Sequence, residues 1–170
     1  MFERFTSFNL RQWIEGCGDA PPGKTFLWED SGFWAFVISG PNQRTAFHIN
    51  PGDEIFHQIV GETQLHFMRP EGRRDLVILR PGEFFLLPAK VPHSPRRAAG
   101  SSTLVISPKR AADADECWFW CCDACGATLH EVGVVGRRME GEDVVAEATR
   151  VLRGDDARRT CPRCGQRVTF

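Results

Sequence analysis

Between residues 26 and 107 the apolar positions fall into short runs with clear stops between them. The runs read "TFLW", "WAFVIS", "TAFHI", "EIFHQIV", "TQLHFM", "DLVIL", "EFFLL" and "TLVIS". Between them stand "SGPN", "NPGD", "VGET", "RPEGRR", "RPGE" and "PAKVP", rich in Gly, Pro and Asn. Strands at this regular spacing predict an all-β sandwich or barrel. Before residue 140 only "NLRQWIEG" offers a helical turn. Later, "GEDVVAEATRVLRGDD" places Val144, Ala148, Val151 and Leu152 near one face of a helix, with Gly154 as its stop.

A change of composition divides the chain. "KRAADADE" is a charged, alanine-rich connector, and "CWFWCCDACG" opens a different kind of unit. The expected organisation is a barrel over residues 1–110 and a small metal-binding segment with a short helix over 111–170. No internal repeat or low-complexity tract is present.

The bulk numbers exclude several classes. With 21 basic and 22 acidic side chains in 170 residues, the net charge of -1 leaves no footprint for nucleic acid or an acidic membrane. The opening "MFERFTSFNLRQW" has no long apolar stretch, and no run approaches the roughly 18 residues of a membrane span. The expectation is a soluble, cytoplasmic protein with a hydrophobic content of 42%, enough for a real core.

Four of the seven cysteines form two C-x-x-C pairs, each followed by Gly: "CDACG" and "CPRCG". A secreted disulfide framework would spread its cysteines through the chain, so this pairing favours a metal. Cys122, Cys125, Cys161 and Cys164 would make a closed tetrahedral site for Zn(II) or rubredoxin-like iron. Such a site has no open position, so it reads as a structural clip. Cys17, Cys117 and Cys121 are left over, with Cys121 adjacent to a ligand.

A second constellation lies in the strand region. Alternation puts Arg44, Ala46 and His48 on one face of "RTAFHI", and the turn "NPGD" delivers Glu54 to the start of the next strand. Downstream, "PGEFFLLPAKVPHSPRR" ends a strand at a Pro-bounded loop and presents His93. Two neutral imidazoles and one carboxylate make a facial triad, which holds Fe(II) while leaving positions open. His57 has the wrong parity to join Glu54, and His57, His66 and His130 read as ordinary surface or core histidines.

These stretches resemble the cupin superfamily. Gly40, His48, Glu54 and Gly61 fit its first motif, with one His where two are usual; Gly82, Pro88, His93 and Arg97 fit its second, with Lys90 where Gly is common. The resemblance implies a double-stranded β-helix barrel. More narrowly, "SGPNQRTAFHINPGDEIFHQIVG", "LPAKVPHSPRR" and the cysteine pairs are similar to bacterial 3-hydroxyanthranilate 3,4-dioxygenases, over nearly the whole chain. That family opens a carboxylated ortho-aminophenol with Fe(II) and O2. The likeness implies iron ligands at His48, Glu54 and His93, carboxylate-binding arginines at Arg44 and Arg97, and a homodimer.

Three positions depart from the family pattern. Ala46 replaces an acid, Lys24 stands near an Asn position in the loop "PPGKTF", and Ser107 falls where the family has a glutamate that contacts the substrate hydroxyl. Ser107 shares a strand face with Thr103 and Val105, and with Lys24 is expected to shape the substrate pocket. An intact metal triad with altered surroundings points to ring cleavage on a small aromatic carboxylate, the family's own substrate or a different one. A non-catalytic metal-holding cupin sensor, and a cupin isomerase or thiol dioxygenase, are the competing classes. Against the thiol dioxygenase, Glu54 supplies a carboxylate where many such enzymes use a third His.

Overall fold

The computed structural model describes the chain except residues 1, 4, 18–22, 29, 43, 112–114, 136–139 and 170; at 115, 134–135 and 140–144 it describes the backbone alone. Eight predicted runs are strands: β1 Gly23–Trp28, β2 Phe33–Ser39, β3 Phe47–Ile49, β4 Glu54–Val60, β5 Thr63–Met68, β6 Arg74–Leu79, β7 Phe84–Leu87 and, later, β9 Ser102–Pro108. Between the last two runs lies β8, His93–Arg97, a stretch expected to be loop. Beyond residue 110 come β10 Asp115–Cys121 and β11 Thr128–Val135. The helices are α1 Leu10–Gly16, α2 Glu140–Gly154 and α3 Asp156–Arg159. Of the loop "PPGKTF", residues 21 and 22 lie outside the described ones and the remainder belongs to β1.

Two antiparallel sheets result, ordered β1-β2-β9-β4-β7 and β11-β10-β3-β8-β5-β6. This is the two-sheet, all-β architecture expected from the sequence. Its core lies between the sheets, where Phe36, Val105 and Phe56 stand in one cross-strand row and pack on Leu65, Leu79 and Leu87. Full burial contributes about 1.5–3 kcal/mol for each side chain of this kind. Strand parity decides what else enters that interior. Glu54 and Phe56 are buried on one face of β4, while Ile55 and His57 alternate to the other.

β8 carries Pro95, which cannot donate to a ladder, so a loop was the natural expectation. The strand survives because its β3 neighbour is short. Only His48 pairs with His93, and by antiparallel register Pro95 falls opposite Ala46, just beyond β3. On its other side β8 pairs with β5 along its whole length.

The segment after residue 110 does not stand apart from the barrel. β10 pairs directly with β3, setting Trp118 opposite His48. Helix α2 then lays Val145, Ala148 and Leu152 against Ala46, Trp118 and Trp120. Ala148 and Leu152 are thus on the buried face expected of them; the Val144 side chain lies outside the described residues. Gly154, expected just past the helix, is its last residue. At the other end, Asn9 caps α1 by accepting from the Gln12 amide, and Leu10, Trp13 and Ile14 pack against Leu27, Ala35 and Val37. Among the described residues, no helix is long and apolar enough to cross a membrane.

Gly40 shows how tightly the end of β2 meets the end of β8. Its amide donates to the Ser101 carbonyl at 2.9 Å. A Cβ at this position would collide with the Ala98 carbonyl oxygen and lie 2.9 Å from Ser101 Oγ and 3.0 Å from Arg97 Cβ. Gly40→Ala should therefore cost about 1–3 kcal/mol of stability in urea denaturation, as overpacked sites do. An unchanged midpoint would show that this strand end is free to shift.

Candidate active site

A cavity of about 190 Å³ opens between the two sheets. At one end three ligand-bearing side chains converge. His48 and His93 face each other across the β3–β8 pair, their rings 5.2 Å apart. Glu54 arrives from the opposite sheet, at the first position of β4. The sequence suggested that Glu54 would neighbour His48 within a strand pair; it reaches it across the barrel instead. The three donor atoms all lie within 4.8 Å of one another, on side chains that are 2–6% exposed.

The donor chemistry fits a metal ion. Glu54 Oε2 lies 3.0 Å from His93 Nε2, yet this buried oxygen has no hydrogen-bond partner. Two such atoms aimed at one point, without bonding each other, are what a shared cation requires. His93 Nδ1 is 3.1 Å from the Val91 carbonyl; donating there fixes the tautomer and leaves the Nε2 lone pair free. Burial, reinforced by the proximity of His93 and by the charges of Arg44, Arg110 and Lys24, holds the His48 imidazole well below its ordinary pKa. It is neutral near pH 7, and a neutral imidazole is the form that binds metal. Burial works to raise the Glu54 carboxyl, but the influence of its neighbours His93, Asn50 and Arg110 outweighs it, leaving the group below its usual value and ionised.

Arg44 and Arg97 line the same cavity. The Arg44 guanidinium lies over the Trp118 ring at 4.5 Å, and Arg97 is only 1% exposed. Lys24 also reaches the lining, its Nζ 4.6 Å from the Phe36 ring centroid. Phe26, Trp34 and Phe56 complete the apolar walls. Ser107 is buried on β9 beside Trp34, its hydroxyl without a hydrogen-bond partner, and lies outside the lining. Of the histidines read as ordinary, His57 stacks on Phe84 at 3.9 Å and none lines the cavity.

Two charged residues in the wall were missed by the sequence reading. Glu116 sets Oε2 3.1 Å from His48 Nε2, and its other oxygen is ion-paired with Arg110. The signal was present: in "ECWFW" the positions of Glu116, Trp118 and Trp120 alternate, as on one strand face. Treating everything after residue 110 as a separate unit hid it.

The four predicted cysteines also come together. Their sulfurs lie within 4.8 Å of one another, with Cys122–Cys164 at 3.6 Å and Cys125–Cys161 at 3.5 Å. A tetrahedral ion with metal–sulfur bonds of about 2.3 Å spaces its sulfurs by roughly 3.8 Å, so the cluster fits. Each pair makes the same backbone knuckle: Gly126 donates to the Cys122 carbonyl, and Gly165 to that of Cys161. Both glycines have φ near +70°, at +72° and +74°, a conformation that excludes most side chains. Of the remaining cysteines, Cys121 accepts from Arg74 at 2.7 Å, Cys117 is partly buried and Cys17 is exposed.

Two antiparallel sheets enclosing a buried, metal-capable His/Glu/His cluster place the chain among all-β proteins with a candidate metal centre. The family model described as 3-hydroxyanthranilic acid dioxygenase matches residues 1–152, and the chain belongs to that family. A Bacillus thuringiensis relative named 3-hydroxyanthranilate 3,4-dioxygenase is 38% identical over 97% of this chain and 93% of its own length. A Burkholderia lata relative of the same name is 37% identical, over 97% and 95% respectively. Among solved structures, a Neisseria meningitidis protein gives a TM-score of 0.47 at 21% identity, covering 61% of this chain and 100% of its own. A cupin-2 domain protein of Shewanella frigidimarina gives 0.44 at 20% identity, covering 51% and 80%.

The ligand cluster makes a direct prediction. Because His93 supplies one of three converging donors, His93→Ala should strip iron from the cavity site while the fold is retained. Elemental analysis of the purified variant, beside its circular dichroism, reads both. Full iron content in a folded His93→Ala protein would place the metal elsewhere.

Proposed function

We propose that the chain is a cytoplasmic, homodimeric, Fe(II)-dependent ring-cleaving dioxygenase acting on 3-hydroxyanthranilate or a closely related carboxylated ortho-aminophenol. One observation carries this reading: the His48, Glu54 and His93 donors converge at the end of a cavity that Arg44 and Arg97 also line. Family membership and the names of the relatives support the same activity.

His48, Glu54 and His93 would hold Fe(II), which when bound would supply the substrate chelation and oxygen chemistry that ring cleavage needs. The protein's own contribution is orientation. Arg44 and Arg97 are assigned to the substrate carboxylate, which a guanidinium grips through two parallel hydrogen bonds. Stacking on Trp118 limits the directions Arg44 can take. Phe26, Trp34, Phe36 and Phe56 receive the flat ring and exclude water, and Lys24 narrows the wall beside Phe36. Ser107, paired with Trp34 and outside the lining, is given no contact with the substrate.

Oxygen consumption tests the reading. Iron-loaded protein should take up O2 in proportion to added 3-hydroxyanthranilate or a ring-substituted analogue. Arg97→Lys should raise KM for the carboxylated substrate by about 10–100-fold, the value of a charge-assisted contact. Tight binding of the aminophenol without oxygen uptake would instead mark a metal-holding sensor.

The cysteine cluster is assigned a structural Fe or Zn ion. A closed four-sulfur site returns its binding free energy as folding free energy. Cys161→Ala should therefore lower the melting temperature and remove that ion, while ring cleavage survives at permissive temperature. Unchanged stability with full metal content would dismiss the clip.

A further inference from the structure

Glu116 belongs neither to the three-donor cluster nor to the arginine clamp, yet it is a buried carboxylate on the cavity wall. Arg110 holds one of its oxygens. Arg110 is itself braced, lying 4.8 Å over the Trp34 ring and donating through Nε to Asn50 Oδ1 at 3.3 Å. The second oxygen, Oε2, has His48 Nε2 as its partner at 3.1 Å. Because Glu116 lines the cavity, Nε2 is the nitrogen that His48 turns toward it.

That contact cannot persist in the loaded site. An imidazole that gives its Nε2 lone pair to a metal carries no proton on that nitrogen. Glu116 is not in the group whose donors all lie within 4.8 Å, so it stands beside the metal position rather than completing the ligand set. Loading thus leaves a fixed, buried carboxylate oxygen without its donor, facing the space where a chelating ligand would sit. A buried acceptor of this kind favours a ligand that brings an O–H or N–H and disfavours one that brings another acceptor.

We infer that Glu116, oriented by Arg110, is a specificity-determining residue that accepts a hydrogen bond from the metal-chelating hydroxyl group of the substrate. This rests on the ring-cleavage reading for the class of ligand. It adds a carboxylate supplied from β10, on the opposite sheet from Ser107.

The test is equilibrium binding to protein whose cavity site is loaded with zinc, which cannot support oxygen chemistry. Two probes are titrated: 3-hydroxyanthranilate, and anthranilate, which keeps the carboxylate and amine but lacks the hydroxyl. The ratio of their affinities should fall by about tenfold in Glu116→Gln, with anthranilate affinity and zinc content unchanged. Glu116→Asp keeps the charge and the pairing with Arg110 but withdraws the oxygen, and guards against misfolding of the Gln variant. It should lower the ratio in the same direction. An unchanged ratio, or equal loss of both ligands together with loss of zinc, would overturn the assignment and leave ring cleavage standing. Failure of the native zinc protein to bind either probe would overturn both.

Discussion

The pairing of His48 with His93 is the contact on which the rest of the site depends. β3 has three residues and meets β8 at this one position. The same short strand pairs with β10 on its other side, so it is the splice between the barrel proper and everything after residue 110. Both imidazoles are buried against aromatic neighbours, His48 on Trp118 at 4.1 Å and His93 edge-on to Phe56 at 6.0 Å. Their ring planes are therefore set by packing before any metal arrives. Preorganisation of this kind is what a three-donor site needs if its open positions are to stay open.

Charge balance explains why so polar an interior is tolerable. Burying an isolated ion is expensive, and the protein avoids isolation in two ways. Glu116 is paired with Arg110, whose own burial lowers its pKa, and Glu54 contributes an opposing attraction across the cavity. Arg44 leans on the Trp118 ring, its guanidinium 4.5 Å from the centroid. A divalent cation and an anionic ring fit this pattern, since each adds charge of the sign its end of the cavity is built to meet.

Local periodicity made most of the barrel legible. Eight strands follow from turn-bounded apolar runs, and alternation alone turned Glu54 inward and His57 outward. The cysteine knuckles were equally plain, because spacing and Gly specify them without long-range information. What escaped was non-local. Nothing in "HSPRR" announces that β5 would pair with it from the other side, since Pro95 argues for a loop. The charged connector before residue 115 looks like a domain boundary, yet the chain crosses back into the same sheet. Glu116 was lost with that boundary. Ser107 was the converse case: its parity was read from β9 alone, while the residues that reach the cavity are chosen by how both sheets curve around it.

A last feature ties the loops of the site to one another. Asn50, 3% exposed, follows β3 and sits at the meeting point of three segments. Its carbonyl accepts the Lys90 amide at 2.8 Å, in the loop that leads to His93. Its side-chain oxygen accepts the Gly52 amide at 3.2 Å, in the turn that delivers Glu54, and Arg110 Nε at 3.3 Å. Lys90 has φ of +63°, a left-handed conformation that costs a non-glycine residue roughly 1–2 kcal/mol. The amide bond to Asn50 helps to hold it there, which explains how this chain keeps a Lys where related motifs commonly use Gly. One buried amide side chain and its carbonyl thus position Glu54, the approach to His93 and the arginine that aims Glu116. Loops are ordinarily the loosest part of a barrel; here they are braced on a common residue, and the geometry of the His48, Glu54 and His93 cluster is inherited from that brace.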